Sequence, residues 1–293
     1  MFEGVYVATV TPFTKNFEVD FEAYEGHNEF LLQSGVHGLV PCGTTGEGPT
    51  LNREERNKII ASAVKAAKTH SKKVIAGCGS NNTSIALQMI EEAAKSGAHA
   101  ALVVTPYYNK PTQSGLIAHY KFLAEKSPLP IILYNVPGRT NVNISPETAY
   151  EIFQHPKIVG IKEASGNHAQ WVALANKINL SEKSLLAGDD DAFATVFALG
   201  GVGIISATAN VVPKKFVKLY ELLKAGRAAE AFLLQTKLVP LIQTMFMETN
   251  PTPAKYALYA MKCMQNVVRL PLVPVSRDTE EKITAALKEL EVL

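Results

Sequence analysis

Eight short apolar runs, each followed by a stretch long enough for a helix, constrain this chain more than any other feature. The runs cover residues 5–11, 38–43, 73–79, 100–106, 130–137, 158–163, 184–188 and 203–207. Between most of them the apolar spacing turns helical. Ile59, Ile60, Ala63, Val64 and Ala67 share one face of residues 53–70, and Ile85, Met89, Ile90 and Ala93 do so in 84–96. Residues 21–35 read as a helix carrying Phe21, Tyr24, Phe30, Leu31 and Leu32 and closed by Gly35. Strands that are apolar throughout, not in alternation, are buried on both faces, as in a parallel sheet covered by helices. Eight such units are the number that closes a (β/α)8 TIM barrel; a doubly wound open sheet is the alternative.

The eight units are complete by residue 225, so residues 1–225 are assigned to the barrel and 226–293 to a C-terminal helical extension. Helical patterns at 227–248, 253–263 and 280–293 are separated by Pro251, Pro253, Pro271 and Pro274. Asp278 with Glu281 reads as a capping-box variant, and packing or subunit contact is the expected use of this tail. A net charge of +2 without a basic block argues against nucleic acid or a membrane surface as partner. No apolar run spans a bilayer and residues 1–4 lack signal-peptide character, so a cytoplasmic location is expected. Cys42, Cys78 and Cys263 are widely spaced and read as small buried apolar residues. None of the seven histidines has a companion at metal-ligand spacing.

In a (β/α)8 barrel the chemistry sits at the C-terminal ends of the strands. Lys162 closes the run Ile158-Val159-Gly160-Ile161-Lys162-Glu163, and strand alternation puts it on the face of Gly160 and Ile158. If that face looks into the barrel, desolvation favours the neutral amine, the form that attacks a carbonyl carbon to make a Schiff base. Taken alone, a lysine at a strand end is more often a surface residue; its neighbours at the other strand ends change that reading. Strand five ends with Tyr134, a phenol able to relay protons, and then Arg139, whose fork can grip a carboxylate. Strand two ends in Gly43-Thr44-Thr45-Gly46-Glu47-Gly48, which reads either as a turn with helix-capping threonines or as backbone N–H groups and hydroxyls that hold a carboxylate, since the GxxxxGK[ST] phosphate pattern is absent. Strand four ends in the rim pair Tyr107 and Tyr108. In Asp189-Asp190-Asp191 after strand seven, Asp190 or Asp191 is read as the N-cap of an apolar helix at 192–199, in preference to a magnesium site.

Four of these stretches, Gly43-Thr44-Thr45-Gly46-Glu47, Thr105-Pro106-Tyr107-Tyr108-Asn109, Tyr134-Asn135-Val136-Pro137-Gly138-Arg139-Thr140 and Gly160-Ile161-Lys162-Glu163-Ala164, occur in order on four strands. In them the chain resembles the dihydrodipicolinate synthase family of the pyruvate-dependent class I aldolase and N-acetylneuraminate lyase superfamily. Thr44-Thr45 and Arg139 carry the resemblance to that family in particular, since sialic acid lyases usually have a serine before the second threonine and lack the arginine. The resemblance implies a lyase that condenses pyruvate with L-aspartate 4-semialdehyde without metal or other cofactor. It implies that Lys162 forms the imine, that Tyr134, Thr44 and Tyr108 relay protons, with Tyr108 entering from a neighbouring subunit, and that Thr45 and the Ile205 backbone hold pyruvate. It further implies that Arg139 binds the second substrate's carboxylate and that the assembly is a homotetramer, a dimer of dimers.

Some members of the family are inhibited by lysine at a subunit interface, at positions that correspond here to Pro49, Arg53, Arg56, Asn81, Ile85 and Tyr107. Ile85 stands where sensitive enzymes place a glutamate, and Arg53 and Arg56 add charge that opposes a cation, so weak or absent inhibition is expected. A retro-aldolase for a 2-keto sugar acid or sialic acid, and a catalytically silent keto-acid sensor, are the two other readings.

Overall fold

The first and last strands pair with each other, which closes the sheet. The computed structural model describes Met1–Leu293. Its strands follow chain order around one parallel barrel: β1 Gly4–Ala8, β2 Gly38–Val40, β3 Lys73–Gly77, β4 Ala100–Val104, β5 Ile131–Asn135, β6 Ile158–Glu163, β7 Ser184–Ala187 and β8 Gly203–Ser206. At the seam Gly4 pairs with Gly203; Gly4 has φ +101°, and a Cβ on Gly203 would press into the Gly4 backbone. An open doubly wound sheet is thereby ruled out. Most strands stop short of the sequence estimate, because the chain leaves the ladder as it reaches the barrel mouth. After Val40, for example, Pro41 has no N–H to donate and Cys42 takes φ +59°.

Strand alternation sorts side chains into two apolar layers. Tyr6, Ala8, Val40, Ile75, Leu102, Ile132, Tyr134, Leu186 and Ile205 fill the barrel. Val5, Val7, Leu39, Val74, Val103, Leu133, Ile161, Leu185 and Ile204 point outward to the helices. The helices start where the sequence supplies caps. Asp20 accepts from the Ala23 N–H to begin Phe21–Gln33, and Asn52 and Glu55 form a capping box for Arg53–Thr69.

β6 departs from simple alternation. Ile131 pairs with Ile158 but Ile132 pairs with Gly160, so one extra residue is accommodated at Val159. Ile158 therefore belongs to the outer layer while Val159 packs against the inner one. The expectation that Ile158 shares the face of Lys162 is corrected. Beyond the bulge the register is regular, and Lys162 lies beside Tyr134 with both side chains directed inward.

Residues after Gly226 form helices Ala228–Thr244, Thr252–Ala260 and Arg277–Glu289. Their Leu238, Leu241, Leu258, Ile283 and Leu287 join the same outer apolar cluster as the barrel helices. The last helix is capped by Ser276, which accepts from the Thr279 N–H; Asp278 sits inside the first turn and pairs with Lys282 at 2.7 Å. The capping role expected of Asp278 thus passes to Ser276, two residues earlier, where the backbone is still extended. Cys42 and Cys78 are buried, whereas Cys263, just past a helix end, is exposed, contrary to the sequence reading. No helix is long and apolar enough to cross a membrane.

Candidate functional site

The C-terminal mouth of the barrel holds a cavity of about 410 Å³, and Lys162, Tyr134, Thr44, Thr45 and Arg139 all line it. Lys162 reaches it from the end of β6, is 7% exposed, and places its Nζ 4.3 Å from the centre of the Tyr134 ring. The short side of this contact is fixed by the sheet, because Tyr134 and Lys162 are register partners on adjacent strands. Arg139 sits at the rim on the turn Pro137–Thr140. That turn is anchored by Thr140, whose hydroxyl donates to backbone carbonyls and accepts from the Thr105 hydroxyl at 3.0 Å. An amine, a phenol, two threonine hydroxyls and a guanidinium converging on one pocket can capture a small keto acid, move protons around it and hold a second carboxylate.

The glycine-rich turn comes close to β3, where a Cβ on Gly77 would lie 2.5 Å from the Cys42 carbonyl oxygen. This packing presents Thr44 and Thr45 to the cavity. The Thr45 hydroxyl accepts from Asn250 Nδ2 at 2.9 Å, which leaves its own proton free to donate to a bound carboxylate. Behind it, the Glu47 carboxylate, at φ +50°, accepts from Lys255 Nζ at 2.6 Å and from the Arg269 backbone N–H at 2.9 Å. The Glu47–Lys255 pair is fully buried.

Asn250 and Phe246, both from the extension, line the cavity directly. The tail is therefore part of the site wall, and the expectation that it serves only packing or subunit contact is corrected. An isolated Asn or Lys in a helical tail carries no sequence signal of this kind, since the contacts span more than 200 residues.

Two of the expected site residues lie outside the wall of this cavity. Tyr108 is 88% exposed, has φ +70°, and is not in the cavity wall; its neighbour Tyr107 is. Ile205 is fully buried in the inner apolar layer, and Ala207, two residues on, lines the cavity.

Asp189 also lines the pocket, and burial pushes its carboxyl up to about 6, opposed by the charge of Lys162. Neither Asp190 nor Asp191 caps the helix, whose N-cap position is Ala192. Asp190 is buried, and its Oδ2 accepts from the Thr208 N–H at 2.8 Å, stitching the end of β7 to that of β8 while the helix Phe193–Ala198 begins later. No group of three or more His, Cys, Asp or Glu side chains is arranged to hold a metal ion.

The dihydrodipicolinate synthetase family model matches residues 1–290. This chain belongs to that family. It is 48% identical over 288 residues to the 4-hydroxy-tetrahydrodipicolinate synthase of Thermodesulfovibrio yellowstonii, covering 98% of both chains. Among solved structures, the dihydrodipicolinate synthase of Thermotoga maritima superposes with a TM-score of 0.98 at 43% identity, all of both chains being covered. The chloride-inhibited dihydrodipicolinate synthase of Acinetobacter baumannii, solved with pyruvate, gives 0.97 at 40% identity, again over the whole of both chains.

Within this member of the dihydrodipicolinate synthetase family, the positions considered for lysine binding divide. Pro49, Arg56 and Tyr107 line the same cavity as Lys162, and Ile85 is exposed on the helix Thr83–Lys95. The positive charge of Arg53 is offset by Glu92 at 2.7 Å. Arg56 is buried and donates to the Gly77 carbonyl at 2.6 Å, so the opposition to a cation rests on Arg56.

Proposed function

We propose that this chain is a lyase of the class I aldolase type that condenses pyruvate with L-aspartate 4-semialdehyde to 4-hydroxy-tetrahydrodipicolinate, on the diaminopimelate route to lysine. The observation that carries this reading is the buried Lys162 amine beside the Tyr134 ring, in one pocket with Thr44, Thr45 and Arg139. The Lys162 amine attacks C2 of pyruvate and water leaves, giving an imine. Loss of a C3 proton gives the enamine, whose C3 attacks the aldehyde carbon of the second substrate. The amino group of that substrate then attacks C2, closes the ring and releases the Lys162 amine. The imine is the electron sink, so the route calls for no added cofactor.

In this scheme Tyr134 relays protons to and from the C2 oxygen, and Thr44 passes them onward. Thr45, polarised by Asn250, holds the pyruvate carboxylate together with the backbone of Ile205. Arg139 at the rim binds the carboxylate of the semialdehyde. Tyr108, exposed on its loop, completes the relay of a neighbouring subunit, which requires an oligomer; we take this to be a homotetramer built as a dimer of dimers.

Borohydride reduction in the presence of pyruvate should add mass at Lys162, and the coupled assay should show condensation with aspartate semialdehyde. No adduct would favour a keto-acid sensor, and pyruvate release from N-acetylneuraminate or 2-keto-3-deoxygluconate without condensation would favour a retro-aldolase.

Tyr108→Phe is expected to lower kcat by roughly tenfold or more while changing KM for pyruvate little, the pattern of a proton-relay group. An unchanged turnover number would remove Tyr108 from the relay. Lysine is expected to inhibit weakly or not at all, because Ile85 offers its ammonium no carboxylate and Arg56 repels it. Half-maximal inhibition at sub-millimolar lysine in the same assay would overturn that expectation.

A further inference from the structure

On the outer face of the barrel, directly behind Tyr134 and Lys162, four polar side chains form a closed network inside an otherwise apolar layer. Asn135 and Glu163 follow the two site residues in sequence and are themselves register partners. Asn135 Nδ2 donates to Glu163 Oε2 at 3.0 Å and to Asn143 Oδ1 at 2.8 Å. Asn143 Nδ2 donates to Gln170 Oε1 at 2.7 Å, and Gln170 Nε2 returns to Asn143 Oδ1 at 3.1 Å and reaches Glu163 Oε2 at 3.4 Å. Two backbone groups are tied in: the Ser165 N–H donates to Glu163 Oε1 at 2.8 Å, and the Ile144 N–H to Asn135 Oδ1 at 2.9 Å.

Glu163 is 1% exposed, all of these partners are neutral, and burial pushes its carboxyl up against their pull. A buried carboxylate without a cation is a costly way to fill an apolar layer. What it secures is geometry. Through Glu163 the network fixes the end of β6 that carries Lys162, and through Asn135 the end of β5 that carries Tyr134. The Asn135–Ile144 bond closes the loop 136–144, on which Arg139 stands.

We infer that Glu163, Asn135 and Gln170 are positioning residues that hold Lys162, Tyr134 and Arg139 in register from outside the barrel. The inference rests on the condensing role proposed above for those residues.

The test uses Glu163→Gln, which keeps the shape but sets an amide N–H against the donors of Asn135, Ser165 or Gln170. The folded variant is expected to lose between about tenfold and a hundredfold in kcat and in the rate of borohydride-trapped pyruvate adduct, with a smaller change in KM for pyruvate. The double variant Glu163→Gln/Asn135→Asp exchanges donor and acceptor across the pair at the same net charge, and should recover part of both rates.

If wild-type protein traps no adduct, the condensing role itself fails. If wild type traps adduct and Glu163→Gln matches it within twofold, or the activity lost only follows the fraction unfolded by circular dichroism, the positioning role fails. Should Glu163→Gln not fold, Gln170→Ala decides: a lowered trapping rate in folded protein supports the inference, and an unchanged rate overturns it.

Discussion

Lys162→Ala is expected to abolish covalent capture of pyruvate and to lower kcat by roughly 10⁴-fold or more, the scale on which loss of a covalent nucleophile is felt. The barrel should remain folded. Lys162 stands one residue before the end of its strand, at the edge of an existing cavity, so truncation enlarges that space and removes no hydrogen bond from the strand ladder. The measurements are mass spectrometry after borohydride treatment with pyruvate, and circular dichroism on the same preparation. A pyruvate adduct persisting in Lys162→Ala would assign the chemistry to another amine. Loss of the dichroism signal together with activity would make the lysine structural.

Lys255→Met should be the most destabilising single change at the site. Lys255 and Glu47 are fully buried partners, and burial pulls the lysine ammonium down while the Glu47 carboxylate holds it up. Removing the lysine strands a carboxylate in the interior, which typically costs about 3–5 kcal/mol, or roughly 5–8 °C in Tm for a chain of this size. Activity should fall as well, because Glu47 ends the turn that presents Thr44 and Thr45. Replacing both partners, as in Lys255→Met/Glu47→Leu, should restore much of the Tm, since two apolar groups of similar volume leave no unpaired charge. Thermal unfolding of the three proteins followed by circular dichroism checks this. An unchanged Tm in Lys255→Met would show that the pair contributes nothing net.

The Glu47–Lys255 pair also marks a boundary of what could be read from residues alone. Glu47 was legible as part of a glycine-rich turn, because the turn is local. Its partner was not, because nothing in the pattern of residues 252–260 distinguishes a lysine that points inward from one that points to water. The same holds for Asn250 on Thr45 and for the tail as a wall of the site. The cap at Ser276 and the burial of Asp190 were misread for a related reason: several adjacent Ser, Asp and Thr residues can each cap a helix, and backbone conformation chooses among them.

By itself the sequence determined the eight-unit barrel, through the number and spacing of its apolar runs. It also placed the amine, the phenol, the threonine pair and the arginine at strand ends, where a barrel gathers them. These are local signals, each set by periodicities of a few residues. Tertiary structure alone decided the bulge that turns Ile158 outward, the reach of the extension into the pocket and the polar network behind Lys162 and Tyr134. Each of these depends on which segments meet across long sequence separations, and only the closed barrel brings those segments into contact.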